Sequence, residues 1–355
     1  MNVSACESLT HTSEDSVSND LPEPLKEPSI IKQNKWVSTL KKAFSSRNFL
    51  KSLILGQCLS LLLCGTGVFS TLLQIENVNV PTAQSFLVYF ALGIVFTTQL
   101  AYKPGKRNLV NILRSWDGLK YAIIGLIDVE ANYLVVKAYN YTSITSVQIL
   151  DCFSIAVVLI LSKLLLHTHY RWTHYIGVAV SVLGLGGLVA ADVITGKNHD
   201  DGTNVVLGDF LVISGAVLYG ISNVAQEFVV KNFKKSEFLG MLGLFSTFIS
   251  GIQVILVERD ELSRVNFSSY KVVLPWLGFF FFLFMIYICM SYVIQKTSAT
   301  VTNISVLSAD FYALIFGIFL FGYTFHILYV ISFIVVIVGV AVYTLRPTDA
   351  TAEGS

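Results

Sequence analysis

Long apolar runs of about 20 residues recur along the chain from residue 50 onward, separated by short polar breaks. A helix of that length spans the hydrocarbon core of a bilayer. Ten such runs in series leave no polar face that a soluble helix could present to water. The pattern predicts an all-α integral membrane protein with ten transmembrane helices. The predicted spans cover residues 50–73, 82–102, 119–138, 145–166, 172–191, 208–230, 238–257, 271–294, 299–321 and 327–345.

The loops between these spans differ in charge on the two sides of the membrane. Most Lys and Arg residues lie before the first span or in alternate loops after it, as in the segment with Lys103, Lys106 and Arg107. Cytoplasmic loops carry the excess of Lys and Arg, so that side is predicted to be cytoplasmic. Since the number of predicted spans is even, both termini are predicted to be cytoplasmic.

The second half of the predicted bundle resembles the first. A constant shift aligns Ser70 with Ser222, and nearly the same shift aligns Gly184 with Gly339. The shift pairs spans one to five with spans six to ten, which indicates a duplicated unit. Because five is odd, the second copy enters the membrane from the opposite side. The sequence therefore predicts two inverted five-helix repeats, an architecture typical of secondary transporters.

These patterns divide the chain into segments. The first 36 residues are rich in acids, Pro, Ser and Thr and poor in apolar residues, a composition that predicts disorder. We predict a disordered cytoplasmic tail at 1–36, a basic juxtamembrane segment at 37–48, a first repeat at 49–191, a non-cytoplasmic loop at 192–207, a second repeat at 208–345 and a cytoplasmic tail at 346–355.

Composition agrees with a membrane protein and excludes several other classes. Only 13% of the residues are charged, against about 25% in globular proteins. The net charge of +1 gives no strongly basic face, so no nucleic-acid partner is expected. The five cysteines form no CxxC pair, and no phosphate-binding GxxxxGK[ST] sequence occurs. We expect no metal and no cofactor. The expected partners are a small-molecule solute and the lipid bilayer, and the oligomeric state stays open.

Polar residues inside several predicted spans are candidates for the substrate pathway. Each buried charge costs about 2.5 to 3.5 kcal/mol on insertion scales, so its presence suggests a function. On the third span, Asp128 pairs with Asn132 and Glu130 with Tyr133, which predicts two neighbouring polar stripes. A role in tying helices together is the alternative for these acids. The predicted substrate-pathway residues are Asp128, Glu130, Asn132, Gln148, Asp151, Tyr219, Asn223, Glu227, Asn303 and Asp310.

Two further spacings contribute to this set. Asp151 and Asp310 occupy corresponding helices of the two predicted repeats, which suggests two carboxylates facing one central cavity. Tyr219, Asn223 and Glu227 lie one turn apart on the sixth span. An aromatic ring, an amide and a carboxylate on one stripe suit a planar, nitrogen-rich solute. A structural hydrogen-bonded role is the alternative for the two aspartates, and a solvated position is the alternative for Glu227.

Several short blocks of the sequence are distinctive: 125–133 (GLIDVEANY), 141–153 (YTSITSVQILDCF), 208–209 (GD), 219–223 (YGISN), 237–241 (EFLGM), 298–300 (SAT), 309–312 (ADFY) and 320–323 (LFGY). These blocks resemble solute carrier family 35, subfamily F, of the drug/metabolite transporter superfamily. The resemblance covers about residues 49–345 and implies a secondary transporter with ten helices in two inverted five-helix repeats.

The resemblance also implies a cargo. The wider family mostly exchanges nucleotide sugars for nucleoside monophosphates in Golgi or ER membranes, whereas subfamily F resembles carriers of nucleobase-like or nucleoside-like solutes, with queuine and queuosine as the best candidates. The residues agree, since Lys137 is the only plausible pathway cation among several acids. An acidic lining suits a neutral or cationic heterocycle better than a diphosphate.

Two alternatives stay open. The first keeps the fold and exchanges nucleotide sugars and nucleoside monophosphates in the Golgi. The second, more remote, is a membrane scaffold or receptor without transport. An enzyme is not expected, because the spans contain no nucleophile with a base and no metal-binding cluster. The expected location is the Golgi or another secretory-pathway membrane, with the plasma membrane as a further candidate.

Overall fold

The structure is a computed structural model that describes most of the predicted membrane domain. The described residues are 47–102, 108–141, 147, 150–151, 153–194, 205–309, 312, 315–316, 319 and 327–344. In these residues the chain is all-helical and forms no strand. The predicted tails at 1–36 and 346–355 lie outside them, as does nearly all of the basic segment 37–48.

The described helices are numbered in chain order. They are α1 (Arg47–Ile75), α2 (Pro81–Ala101), α3 (Leu109–Arg114), α4 (Trp116–Ala138), α5 (Phe153–Leu165), α6 (Trp172–Ile194), α7 (Val205–Asn232), α8 (Lys235–Gln253), a π-helix (Val254–Glu258), α9 (Arg259–Arg264), α10 (Tyr270–Lys296), α11 (Ala299–Val306) and α12 (Ile327–Thr344).

Five of these helical segments are long and apolar enough to cross a membrane, which makes the chain a multi-pass membrane protein. They are Ile54–Ile75, Pro81–Ala101, Val206–Asn232, Lys235–Arg264 and Tyr270–Lys296, at the positions of predicted spans one, two, six, seven and eight. α4 occupies the third predicted span but carries Asp128, Glu130 and Lys137. Phe153–Leu165 and Val330–Tyr343 are shorter apolar helices in the fourth and tenth predicted spans. A count of ten spans therefore stays a prediction.

Polar side chains set several helix starts. The hydroxyl of Ser115 accepts a hydrogen bond from the backbone N–H of Asp117 at the start of α4, 3.2 Å away. Ser298 does the same for Val301 at the start of α11, also at 3.2 Å. Serine is a favoured N-cap residue because its oxygen satisfies a backbone donor that the helix itself leaves unpaired.

The seventh predicted span is not one regular helix. α8 is followed by the π-helix, which ends at Glu258. The carboxylate of Glu258 accepts hydrogen bonds from the backbone N–H groups of Thr82 and Ala83, at 2.8 and 2.9 Å. These donors lie in the first turn of α2, which begins at Pro81. A negative charge at this end complements the helix dipole, so Glu258 joins α8 to the start of α2.

The principal helix pairs each combine one helix before residue 195 with one after residue 204. α2 packs on α8, α6 on α12, α1 on α10 and α4 on α7. The last two pairs are reciprocal: the first long helix of each half packs on the third long helix of the other half. The helices therefore interleave, and the described residues belong to one compact unit.

α2 and α8 approach through their backbones. A Cβ atom added to Gly243 would lie 2.4 Å from the backbone nitrogen of Gly93, closer than any real contact. Around this crossing the core is apolar and fully enclosed, with Leu92, Met241 and Leu242 at most 1% exposed. Small residues at a crossing let two helices pack closely in a membrane.

Candidate substrate pathway

Five polar side chains from four helices form a buried cluster, which we name the polar hub: Tyr89 of α2, Asp128 and Asn132 of α4, Ser222 of α7 and Tyr287 of α10. Oδ2 of Asp128 accepts hydrogen bonds from the hydroxyls of Tyr89 and Tyr287, at 2.8 and 2.5 Å. Oδ1 accepts one from Ser222 at 3.0 Å. The amide of Asn132 donates to both tyrosine hydroxyls, at 2.7 and 3.0 Å.

The hub ties both halves of the chain together. Asp128 is only 5% exposed and Asn132 4%. Both carboxylate oxygens of Asp128 already have protein donors, and three helices supply them. This arrangement favours the helix-tying role for Asp128 over direct contact with a solute.

Glu130 does not belong to the hub. Residues two positions apart on an α-helix point about 200° apart, so Glu130 lies nearly opposite Asp128. The prediction that the two acid pairs form neighbouring stripes is therefore wrong. Glu130 is half-buried and shares its face with Tyr133 and Lys137. The Lys137 ammonium donates to the Tyr133 hydroxyl at 2.5 Å, so the cation singled out in the sequence has a protein partner.

Asp151 and Tyr219 form a second polar group beside the hub. Oδ1 of Asp151 is buried and has no hydrogen-bond partner among the described residues. The Tyr219 hydroxyl on α7 lies close enough to Asp151 and Asp128 to interact electrostatically with both carboxylates. An unpartnered carboxylate oxygen can accept a hydrogen bond from a solute.

Asn223 and Glu227, one and two turns along α7 from Tyr219, contact α11 instead. The Asn223 amide donates to Oδ1 of Asn303 at 3.1 Å. Oε2 of Glu227 accepts from the backbone N–H of Ala299 at 2.8 Å, and Oε1 accepts from Lys231 at 2.5 Å. Glu227 is 1% exposed, so the alternative of a solvated side chain is wrong.

α1 contributes side chains that sequence reasoning missed. The Gln57 amide donates to the Ser308 hydroxyl at 2.9 Å, and its carbonyl oxygen accepts from Tyr312 at 2.7 Å. Ser60 and Ser308 lie 2.9 Å apart, oxygen to oxygen. These contacts join the first long helix to the segment after α11.

The tyrosines of the hub were also missed. Transmembrane tyrosines usually lie at the membrane interfaces, where the hydroxyl reaches water. Tyr89 and Tyr287 lie near the middle of α2 and α10, where a hydroxyl needs a protein partner. Their position in the middle of a predicted span was therefore the signal in the sequence that could have identified these two tyrosines.

Two predicted pathway residues, Gln148 and Asp310, lie outside the described residues. The predicted pairing of Asp151 with Asp310 across one cavity therefore stays a prediction. Within the part of the chain that the structure describes, no group of three or more His, Cys, Asp or Glu side chains could hold a metal ion.

Comparison with known proteins identifies the family. Residues 45–345 match the family model SLC35F, described as solute carrier family 35. The chain belongs to solute carrier family 35. It is 45% identical over 314 residues to solute carrier family 35 member F2 of Mus musculus, covering 88% of this chain and 83% of that one. The member F2 of Xenopus tropicalis is 44% identical over 304 residues, covering 84% and 77%.

A more distant relative and a solved structure extend the comparison. An uncharacterized solute carrier family 35 member of Schizosaccharomyces pombe is 36% identical over 300 residues, covering 84% of this chain and 58% of that one. A solved crystal structure of a protein with 16% sequence identity superposes with a TM-score of 0.63, covering 86% of this chain and 99% of the other. At that identity the likeness shows the fold alone.

Membership of solute carrier family 35 decides the class of activity. Its members are solute transporters and not enzymes, so this chain is a multi-pass membrane transporter. The buried polar groups described above therefore belong to a protein that moves a small molecule across a bilayer.

Proposed function

We propose that this member of solute carrier family 35 carries a nucleobase-like or nucleoside-like solute, with queuine and queuosine as the favoured cargo, by alternating access. The observation that carries the proposal is the buried Oδ1 of Asp151, which lacks a donor and lies in the same polar region as the Tyr219 phenol. A planar heterocycle bearing an amine would satisfy both groups.

The proposed cargo can bind Asp151 and Tyr219 through two kinds of contact. A protonated amine or ring N–H donates to the unpartnered oxygen of Asp151 in a charge-assisted hydrogen bond. The flat ring system packs on the Tyr219 ring, since aromatic faces hold bases without strict selectivity. Glu130 stays a proposed pathway residue on the other face of α4, which also carries Tyr133 and Lys137. We propose that Gln148 and Asp310 complete the lining.

The distribution of cations supports a base over a nucleotide sugar. A diphosphate needs several Lys or Arg side chains around its oxygens. Among the described residues, Lys137 is bound to Tyr133 and Lys231 to Glu227. Because both cations already bind other side chains, they are poorly suited to bind a diphosphate. Nucleotide-sugar exchange nevertheless gives a clear alternative outcome for the uptake experiment.

The proposed mechanism uses the interleaved helices. The reciprocal packing of α1 on α10 and of α4 on α7 supports two inverted five-helix repeats related by a two-fold axis. We propose ten spans with both termini in the cytoplasm. One half rocks against the other and exposes the site around Asp151 to each side in turn.

The test is uptake of queuine and queuosine in cells that lack this protein, with and without its re-expression, scored as queuosine in tRNA. Loss of salvage that returns with the gene supports the cargo. Unchanged salvage, together with nucleotide-sugar uptake into Golgi vesicles that contain the protein, would establish the alternative. Imaging of the tagged protein decides between the Golgi and the plasma membrane.

Substitution of Asp151 tests the site itself. Asp151→Asn keeps the shape but removes the negative charge, so uptake at low cargo concentration should fall by about tenfold or more, the ratio expected for one charge-assisted hydrogen bond. Asp117→Asn is the matched control, because Asp117 lies at the start of α4 and pairs with the largely exposed Lys120. Equal uptake by both variants at equal surface expression would refute the assignment of Asp151.

A further inference from the structure

We infer that the contact between α7 and α11 is a gate that opens during transport, and that Glu227 holds it shut. We name this contact the Glu227 clasp, formed by Asn223, Glu227 and Lys231 of α7 with Ala299 and Asn303 of α11. The inference rests on the proposed transport function and adds the place where the pathway closes. Lys231 and its neighbours Lys234 and Lys235 put this end of α7 on the predicted cytoplasmic side.

The position of the clasp fits a gate. Tyr219 precedes Asn223 by one turn and Glu227 by two, so the clasp lies about 6 to 12 Å along α7 from the proposed cargo site. It therefore separates Tyr219 from the predicted cytoplasmic end of the bundle. In the proposed gate, a solute leaving the site toward that end passes between α7 and α11.

The chemistry of the clasp suits a contact that opens. α7 and α11 are joined by side chains, through Glu227 to Ala299 and Asn223 to Asn303. The α2–α8 pair, in contrast, touches backbone to backbone at Gly93 and Gly243. α11 itself is short, eight residues that end in a turn at Leu307.

Lys231 keeps the charge of Glu227 paired when the clasp opens. It lies on the same helix, four residues away, and binds Oε1 while α11 binds Oε2. If α11 moves away, Glu227 loses one hydrogen bond but keeps its ion pair. An acid without such a partner would be costly to release from a buried position.

A neighbouring face of α7 contacts α10 and the polar hub through buried side chains. Gln226 donates to the Ser291 hydroxyl of α10 at 2.8 Å, and Ser222 donates to the polar hub. Gln226 and Ser291 are both buried, 5% and 0% exposed. The same turn of α7 therefore offers one contact expected to open and one expected to stay closed.

Cross-linking tests this difference. In a chain whose native cysteines are replaced, Asn223→Cys with Asn303→Cys should be joined by a short, reducible bifunctional thiol reagent, and cargo uptake should stop and return with reductant. Gln226→Cys with Ser291→Cys is the matched control, and its cross-linked form should keep its uptake. Continued uptake by a fully cross-linked Asn223–Asn303 pair would overturn the gate.

A second measurement needs no cargo. The single variant Asn303→Cys is treated with a charged thiol reagent from the predicted cytoplasmic side, alone and combined with Glu227→Gln. Weakening the clasp should raise the labelling rate by about tenfold. The control, Glu237→Gln, changes a buried acid that binds Tyr121 of α4 instead, and should leave the rate unchanged. Equal rates for Glu227→Gln and the parent would contradict the inference.

The two measurements test the gate and the identity of the cargo independently. If no variant takes up queuine even without cross-linking, the cargo proposal fails while the labelling rates still decide the gate. If uptake occurs and the labelling rates do not differ, the cargo stands and the gate is wrong.

Discussion

At the scale of single residues, buried acids of this transporter fall into two groups. Asp128, Glu227 and Glu258 have protein donors on both carboxylate oxygens. Oδ1 of Asp151 has no partner among the described residues. The sequence identified Asp128, Glu227 and Asp151 as unusual, because a charge inside an apolar run is visible in composition. The sequence could not show which of these acids have hydrogen-bond donors, because the donors come from helices far away in the chain.

The polar hub should contribute to stability. Asp128→Ala removes the acceptor for three hydroxyls, and because interhelical hydrogen bonds in membranes are worth about 0.6 to 1.7 kcal/mol each, the total loss should be about 2 to 5 kcal/mol. Tyr287→Phe removes one hydroxyl with its hydrogen bonds to Asp128 and Asn132 and should cost about 1 to 3 kcal/mol. Thermal unfolding of the purified protein in detergent measures both. A Tyr287→Phe loss as large as that of Asp128→Ala would contradict the central place of the carboxylate.

At the scale of helices, the apolar pattern located most elements to within a few residues but missed their interruptions. The seventh predicted span continues smoothly through residue 257, whereas the structure changes from α8 to a π-helix at Val254. Nothing local in the sequence marks this change, and the backbone groups that Glu258 binds lie at the distant start of α2. The caps of α4 and α11, in contrast, follow from Ser115 and Ser298 alone.

Glu258 should stabilise the start of α2. Glu258→Gln leaves one acceptor oxygen for two backbone donors and removes the charge at the helix end, so it should lower the free energy of unfolding by about 1 to 2 kcal/mol. Glu261→Gln is the control, since Glu261 lies exposed on α9. Thermal unfolding compares the two, and an equal effect would show that the cap contributes little.

The α2–α8 crossing should tolerate no added side chain. Gly243→Ala places a methyl group 2.4 Å from the backbone of Gly93, so the helices must separate, at a cost of about 1 to 3 kcal/mol. A Cβ atom on Gly186 of α6 meets nothing within 4 Å, so Gly186→Ala is the matched control and should fold normally. Surface expression and thermal unfolding measure both, and a stable Gly243→Ala protein would show that the crossing is looser than described.

At the scale of the whole molecule, hydropathy predicted a helical membrane bundle, but it could not predict which helices touch. Packing between α1 and α10 or between α6 and α12 depends on surfaces more than 100 residues apart in the chain. The internal repeat gave a hint, because the aligned positions Ser70 and Ser222 lie on α1 and α7, which hold equivalent places in the two reciprocal pairs, α1 with α10 and α7 with α4.

The interleaved packing predicts that neither half is stable alone. When residues 1–200 and 201–355 are expressed separately, each half should be degraded quickly, because its main packing partners are missing. Co-expression of the two pieces should restore protein levels and part of the uptake. Pulse–chase labelling measures the lifetimes, with the intact chain as reference. A first half that persists by itself as long as the intact chain would contradict this view of the fold.

The same packing has a consequence for biosynthesis. α2 enters the membrane well before its partner α8 has been translated, and the remaining 150 or so residues take roughly 8 to 30 seconds at ordinary elongation rates. During that interval the glycine face of α2 and the acid of α4 lack their partners and meet lipid or the insertion machinery instead. The incomplete chain has to be protected in the membrane for the whole of that time. Slowed translation or scarce membrane chaperones should therefore lower the yield of the transporter before they affect its activity.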